Sequence, residues 1–198
     1  MKVTIENINL EVNGILSDDM SEDEFFHFCT ENRDLRIERD NKGQIYIMAP
    51  TSFETGNFNA DIITDLNIWN RKTKSGKVFD SSTGFTLPDK AVFSPDASWV
   101  SLERASKLND SDKKKFAPVC PNFVIELKSN SDSINQLKSK MLKWIENGCE
   151  LAWLINPEKK EAIIYRNNGS IEIVKGFQNK LSGENTLPGF ELDLQIFQ

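Results

Sequence analysis

Residues 123–129 read FVIELKS, a strand-forming run with a glutamate and a lysine set inside it. Side chains alternate along a strand, so Phe123, Ile125 and Leu127 share one face and Val124, Glu126 and Lys128 the other. The first face belongs in a core. The second carries two opposite charges, and a buried charge is costly unless it is paired or holds a metal. The chain must therefore build an ion pair, a solvent-facing surface or the lining of a site on one side of its sheet.

The surrounding sequence says what kind of sheet this is. Ser21 with Glu24 three residues on is a capping box, and Phe25, Phe28 and Cys29 follow at helical spacing. LRIERDNKGQIYIMAP holds two alternating segments around Asp40-Asn41-Lys42-Gly43, a hairpin signal closed by Pro50. Ile62, Ile63, Leu66 and Trp69 mark a longer helix. Short strands broken by Gly84, Pro88 and Pro95 follow, then a polar, lysine-rich stretch over 103–119 that reads as a surface loop or short helix. After FVIELKS, Ser133 with Gln136 predicts a second capping box. Ile134, Leu137, Met141, Trp144 and Ile145 form an apolar stripe, with Gly148 as the C-cap. LAWLINP and EAIIYRNNG read as further strands, and TLPGFELDLQIF as a terminal segment packed on the body. The expectation is one α/β (α+β) domain over 1–198, with a helix and hairpin extension in about residues 1–50.

Several function classes are excluded or disfavoured. Cys29, Cys120 and Cys149 are three in number and far apart, with His27 the one histidine, so neither a zinc cluster nor a disulfide framework is expected. His27 sits beside phenylalanines in an expected helix and reads as a helix-surface or packing residue, so no serine or cysteine triad is expected. The net charge of −6 argues against a general nucleic-acid binder but allows a local basic groove. Lysines gather at Lys113–Lys115, at Lys138, Lys140 and Lys143, and at Arg71, Lys72, Lys74 and Lys77; taken singly each reads as a solvated face. No apolar run is long enough to span a membrane and MKVTIENINLEVNG has no signal-peptide core, which gives a cytoplasmic expectation.

Glu126 and Lys128 have a partner upstream, where FSPDASWV puts Asp96 at the edge of another β segment. Two carboxylates on neighbouring strands suit a divalent cation, which for Mg²⁺ keeps several waters. Such a cation stabilises charge on a phosphate oxygen and lowers the pKa of a bound water. A nearby lysine offsets developing negative charge. The alternative is a turn-forming Asp96 and a structural ion pair on a half-exposed strand.

Asp96 after Pro95, followed by Glu126-x-Lys128, resembles the PD-(D/E)XK nuclease superfamily, and most closely a large family of small restriction-endonuclease-like proteins. The similarity runs over most of residues 45–197 and is carried chiefly by FVIELKSNSDSINQLKSKMLKWIENGCELAWLINPEKKEAIIYR. The resemblance implies a restriction-endonuclease-like core, a central mixed β-sheet flanked by helices. It makes Asp96 and Glu126 ligands of Mg²⁺, or Mn²⁺, and Lys128 the catalytic lysine. In many such proteins the lysine comes instead from the following helix, where Lys140 stands, and Gln136 and Lys140 would meet the substrate there. Glu54 is the candidate for a further acidic residue, with Glu38 second; family members often carry a histidine after the Glu54 position, where this chain has Thr55. The implied activity is Mg²⁺-dependent hydrolysis of DNA phosphodiesters, with a homodimer as the form that cuts both strands. The competing expectation is an inactive nuclease-fold module that binds nucleic acid or a partner protein.

Overall fold

The computed structural model describes Gly14 and residues 20–198, so the beginning of the expected N-terminal extension lies outside the described residues. Helix α1 (Glu22–Glu31) starts with the capping box: Ser21 accepts from the Glu24 amide, and the Glu24 carboxylate accepts from the Ser21 amide at 2.8 Å. The hairpin of β1 (Arg36–Arg39) and β2 (Ile45–Met48) turns where Asp40 accepts from the amides of Lys42 and Gln44, with Gly43 at φ 82°. Helix α2 (Phe53–Thr73) buries Ile62, Leu66 and Trp69 of the expected stripe, leaves Ile63 partly buried and adds Phe58.

The chain then makes β3 (Gly76–Asp80), β4 (Phe85–Thr86), β5 (Val92–Phe93) and β6 (Ala97–Ser101), followed by the short helix α3 (Leu102–Ser106). FVIEL forms β7 (Phe123–Leu127), which α4 (Ile134–Glu146) links to β8 (Leu151–Asn156). β9 (Glu161–Arg166), β10 (Ile171–Lys175), β11 (Lys180–Ser182) and β12 (Glu191–Asp193) complete the chain before a terminal 3₁₀ turn, Leu194–Phe197.

Six strands form the central sheet in the order β10-β9-β8-β7-β6-β3. It is mixed: β7 and β8 run parallel, joined by the α4 crossover, and the other neighbours run antiparallel. Phe123, Ile125 and Leu127 pack with α2 and the C-terminal segment, including Phe190 and Phe197. Val124, Ala152 and Leu154 pack on the other face beneath Met141 and Trp144 of α4. A smaller sheet, β2-β1-β5-β4, lies beside this second face and carries α1 through Phe25, Phe28, Ile37 and Val92.

One local expectation fails. Ser133 precedes α4 without a side-chain capping bond, because the preceding turn closes on Asp132, which accepts from the Ser129 amide and hydroxyl. Strand β7 ends at Leu127, but the Lys128 amide still donates to the Ile155 carbonyl of β8 at 2.8 Å, and its ammonium donates to the Ser129 carbonyl.

Candidate active site

Sheet register brings the first two carboxylates together. Ala97 pairs with Ile125 in the antiparallel β6–β7 ladder, so the next rung sets Asp96 opposite Glu126. Opposite residues on one face of such a ladder stand about 4.5–5.5 Å apart at Cβ. The Leu127 amide donates to Asp96 Oδ2 at 2.8 Å, which fixes the carboxylate and leaves Oδ1 directed elsewhere. Only longer contacts reach Oδ1, from Asn59 Nδ2 at 3.5 Å and from the Arg36 guanidinium at 3.6 Å.

Glu126 is 3% exposed, midway along a strand whose other residues are apolar. Helix α4 supplies its partners. Lys140 and Trp144 lie one helical turn apart on the same face, and both address Glu126 Oε1: the ammonium at 2.9 Å and the indole N–H at 3.0 Å. Among the described residues none donates to Oε2. Lys140 also reaches Glu38 Oε1 at 2.9 Å, and that same oxygen accepts from the Ser94 amide at 2.8 Å. Glu38, Lys140 and Glu126 thus form a buried triad that joins the hairpin, the crossover helix and the central sheet.

Burial pushes the Glu126 carboxyl up, Lys140 opposes it, and Asp96 and Glu38 add to the rise, which together place it at about 7. Burial alone would lower the Lys140 ammonium, but the two glutamates outweigh it and hold the group protonated. With all three carboxylates ionised, Asp96, Glu126 and Glu38 face two nearby cations, Lys140 and Arg36. The cluster then carries one surplus negative charge in a largely buried setting.

The other expected residues lie apart from this cluster. Lys128 Nζ donates to the Ser129 carbonyl at 3.1 Å and pairs with Glu158 at 3.4 Å. Gln136 is exposed in the first turn of α4, and Glu54 is exposed in the first turn of α2. The second candidate acid, Glu38, is the one brought to Lys140 and Glu126. Arg36, Asn59 and the Trp144 N–H had no signal in the sequence beyond residue type. Lys77, Lys113 and Lys115, from two of the lysine clusters, rim a mostly apolar cavity of about 250 Å³ that contains none of these carboxylates.

A complete protein cage for a metal is absent: no three His, Cys, Asp or Glu side chains among the described residues are grouped to hold one. The donor set still fits a hard cation that keeps much of its water. Asp96 Oδ1 and Glu126 Oε2 are carboxylate oxygens without a short protein hydrogen bond, on adjacent strands, in a site with surplus negative charge.

Comparisons with known proteins agree with this architecture. The chain matches a solved structure described as "a putative nuclease belonging to DUF820" from Anabaena variabilis, with a TM-score of 0.71 at 15% identity, over 90% of this chain and 97% of that one. At that identity the likeness shows the fold, a nuclease-like mixed α/β sheet with flanking helices. None of the curated proteins matches. A family model described as "Putative restriction endonuclease" matches residues 22–195, which takes in both central carboxylates, Glu38, the crossover helix and Lys140. The chain belongs to that family, Uma2.

Proposed function

We propose that this protein is a Mg²⁺-dependent endonuclease that hydrolyses DNA phosphodiester bonds, with Mn²⁺ as a substitute ion. The observation that carries this reading is the Asp96–Glu126 pair set across β6 and β7, with Lys140 on one oxygen of Glu126 and an oxygen on each carboxylate that has no short hydrogen bond. Asp96 and Glu126 would hold the cation, which when bound supplies charge neutralisation at a phosphate oxygen and a more acidic water.

The chain's own residues do the rest. The Leu127 amide and the Trp144 indole orient the two carboxylates. Lys140, kept protonated by Glu126 and Glu38, offsets charge that develops as water attacks phosphorus. Glu38 holds Lys140 in place and is itself held by the Ser94 amide. Charge balance supports the reading: one divalent cation and one phosphodiester together bring the cluster, with its surplus negative charge, to neutrality, as a desolvated site requires. In this reading the catalytic lysine is Lys140 and not Lys128. A homodimer would present two such centres to the two strands of a duplex.

The test is metal-dependent cleavage of a mixed panel of single-stranded and duplex DNA, with Asp96→Ala and Glu126→Ala as controls. Cleavage that requires Mg²⁺ or Mn²⁺ and vanishes in both variants is expected. Cleavage by the variants at the parent rate, or a parent that neither binds metal nor cuts, would overturn the assignment; the second result would favour a nuclease-fold binding module.

A further inference from the structure

We propose that Arg36 is a phosphate-binding residue of this centre, yielding Asp96 Oδ1 to the cation and turning its guanidinium to the scissile phosphodiester. The inference rests on the nuclease reading and gives a role in substrate binding to a residue that the reading counts only in its charge balance.

Residues two apart on a strand share a face, so Arg36 and Glu38 of β1 both look toward the carboxylate cluster. Glu38 is closed into the buried triad. Arg36 is not: its side chain keeps 31% of its exposure, and its three nitrogens are unevenly used. Nη2 donates to the Ser94 carbonyl at 2.7 Å, a firm anchor. Nη1 stands 3.6 Å from Asp96 Oδ1, too long for a strong charged hydrogen bond. Nε is buried and has no partner among the described residues. Across the same carboxylate oxygen, Asn59 Oδ1 is also buried without a partner. A buried donor and a buried acceptor left unmade beside one carboxylate cost more than ordinary surface groups. Both lie where a further polar ligand would complete them.

Arginine suits that ligand. Its planar fork matches the oxygens of a phosphodiester, and it stays charged at any working pH. Oδ1 is the one Asp96 oxygen not taken by a backbone amide, so a divalent cation and the guanidinium compete for it. Cation binding there would repel Arg36 from Asp96 while the Ser94 anchor keeps it within reach. Nε and Nη1 are then the donors offered to a phosphate oxygen.

The test compares the parent with Arg36→Ala and Arg36→Gln. Glutamine removes the charge but can still donate to the Ser94 carbonyl, so it serves if the alanine variant does not fold. Two readouts are taken: Mg²⁺ binding by calorimetry without nucleic acid, and binding of a fluorescent oligodeoxynucleotide across a salt series. Removing one phosphate contact should make the slope of log affinity against log salt shallower by about 0.7 for a single strand or about 0.9 for a duplex. Mg²⁺ should bind at least about threefold more tightly, because a competing cation has gone. A merely structural arginine would leave the slope unchanged and would weaken Mg²⁺ binding along with thermal stability; that result overturns the proposal. If the parent binds the oligonucleotide and Mg²⁺ but both variants keep its slope, this inference falls and the nuclease reading stands. If the parent binds neither, both fall.

Discussion

Glu126 is the residue on which structure and chemistry pull against each other. It occupies a strand position that an apolar side chain would fill at less cost, and it is kept there by Lys140 and the Trp144 N–H. Glu126→Gln keeps an acceptor for both donors and removes the burial penalty. Differential scanning calorimetry at pH 8 should therefore show no loss of Tm, while Mg²⁺ binding and cleavage are abolished; a clear fall in Tm would contradict this account. Lys140→Ala leaves two buried carboxylates facing each other, which should cost about 3–5 kcal/mol in chemical denaturation and, where the protein stays folded, about 10²–10³ in cleavage rate. Lys128→Ala removes only the contacts to Ser129 and Glu158, and its stability should change by no more than about 1 kcal/mol. Cleavage rates for the two alanine variants in the reverse order would return the catalytic lysine to the strand.

The elements matter because the site is assembled from four of them. Strand β7 presents Glu126, the start of β6 presents Asp96, α4 brings Lys140 and Trp144 down on one face, and β1 adds Glu38 and Arg36. The hairpin is joined to the rest through one β1–β5 register pair, Arg39 with Val92, through the apolar cluster under α1 and through the polar contacts of Arg36 and Glu38. Phe25 is fully buried in that cluster, so Phe25→Ala should cost about 3–5 kcal/mol. Because the hairpin holds Glu38 against Lys140, the same variant should lose cleavage before it loses the central sheet. Activity and far-UV circular dichroism followed through one urea titration separate the two events, and coincident loss would show that the hairpin and sheet unfold as one.

The whole molecule decides how the site responds to pH. Burial raises Glu126 above an ordinary carboxyl, so the folded state holds its proton more tightly than the unfolded chain. Its contribution to stability is then greatest below the unfolded carboxyl pKa and is lost as pH rises through about 7. Metal binding runs the other way, since the ligand must be ionised. Mg²⁺ affinity should climb between pH 6 and pH 8 while the metal-free Tm falls, and Glu126→Gln should remove this group's share of the stability slope. A parent and a variant with the same Tm profile over that range would assign the titration elsewhere. No helix among the described residues is long and apolar enough to cross a membrane.

How much of this was legible beforehand depended on sequence distance. The capping box at Ser21, the Asp40–Gly43 turn, the α2 stripe and the two-faced β7 all follow from residues within a few positions of one another, and local sterics and burial period decide such features. Ser133 departs from its expected cap, because a side-chain turn closed on Asp132 precedes the helix. Motif order pairs Asp96 with Glu126, and the antiparallel register sets them opposite one another. Glu38 over Glu54, Lys140 over Lys128, and the presence of Arg36 and Asn59 beside Asp96 were matters for the tertiary fold. Residues as much as 102 positions apart meet there because buried charges must find partners, and which partner is within reach depends on how the hairpin and α4 pack on the sheet.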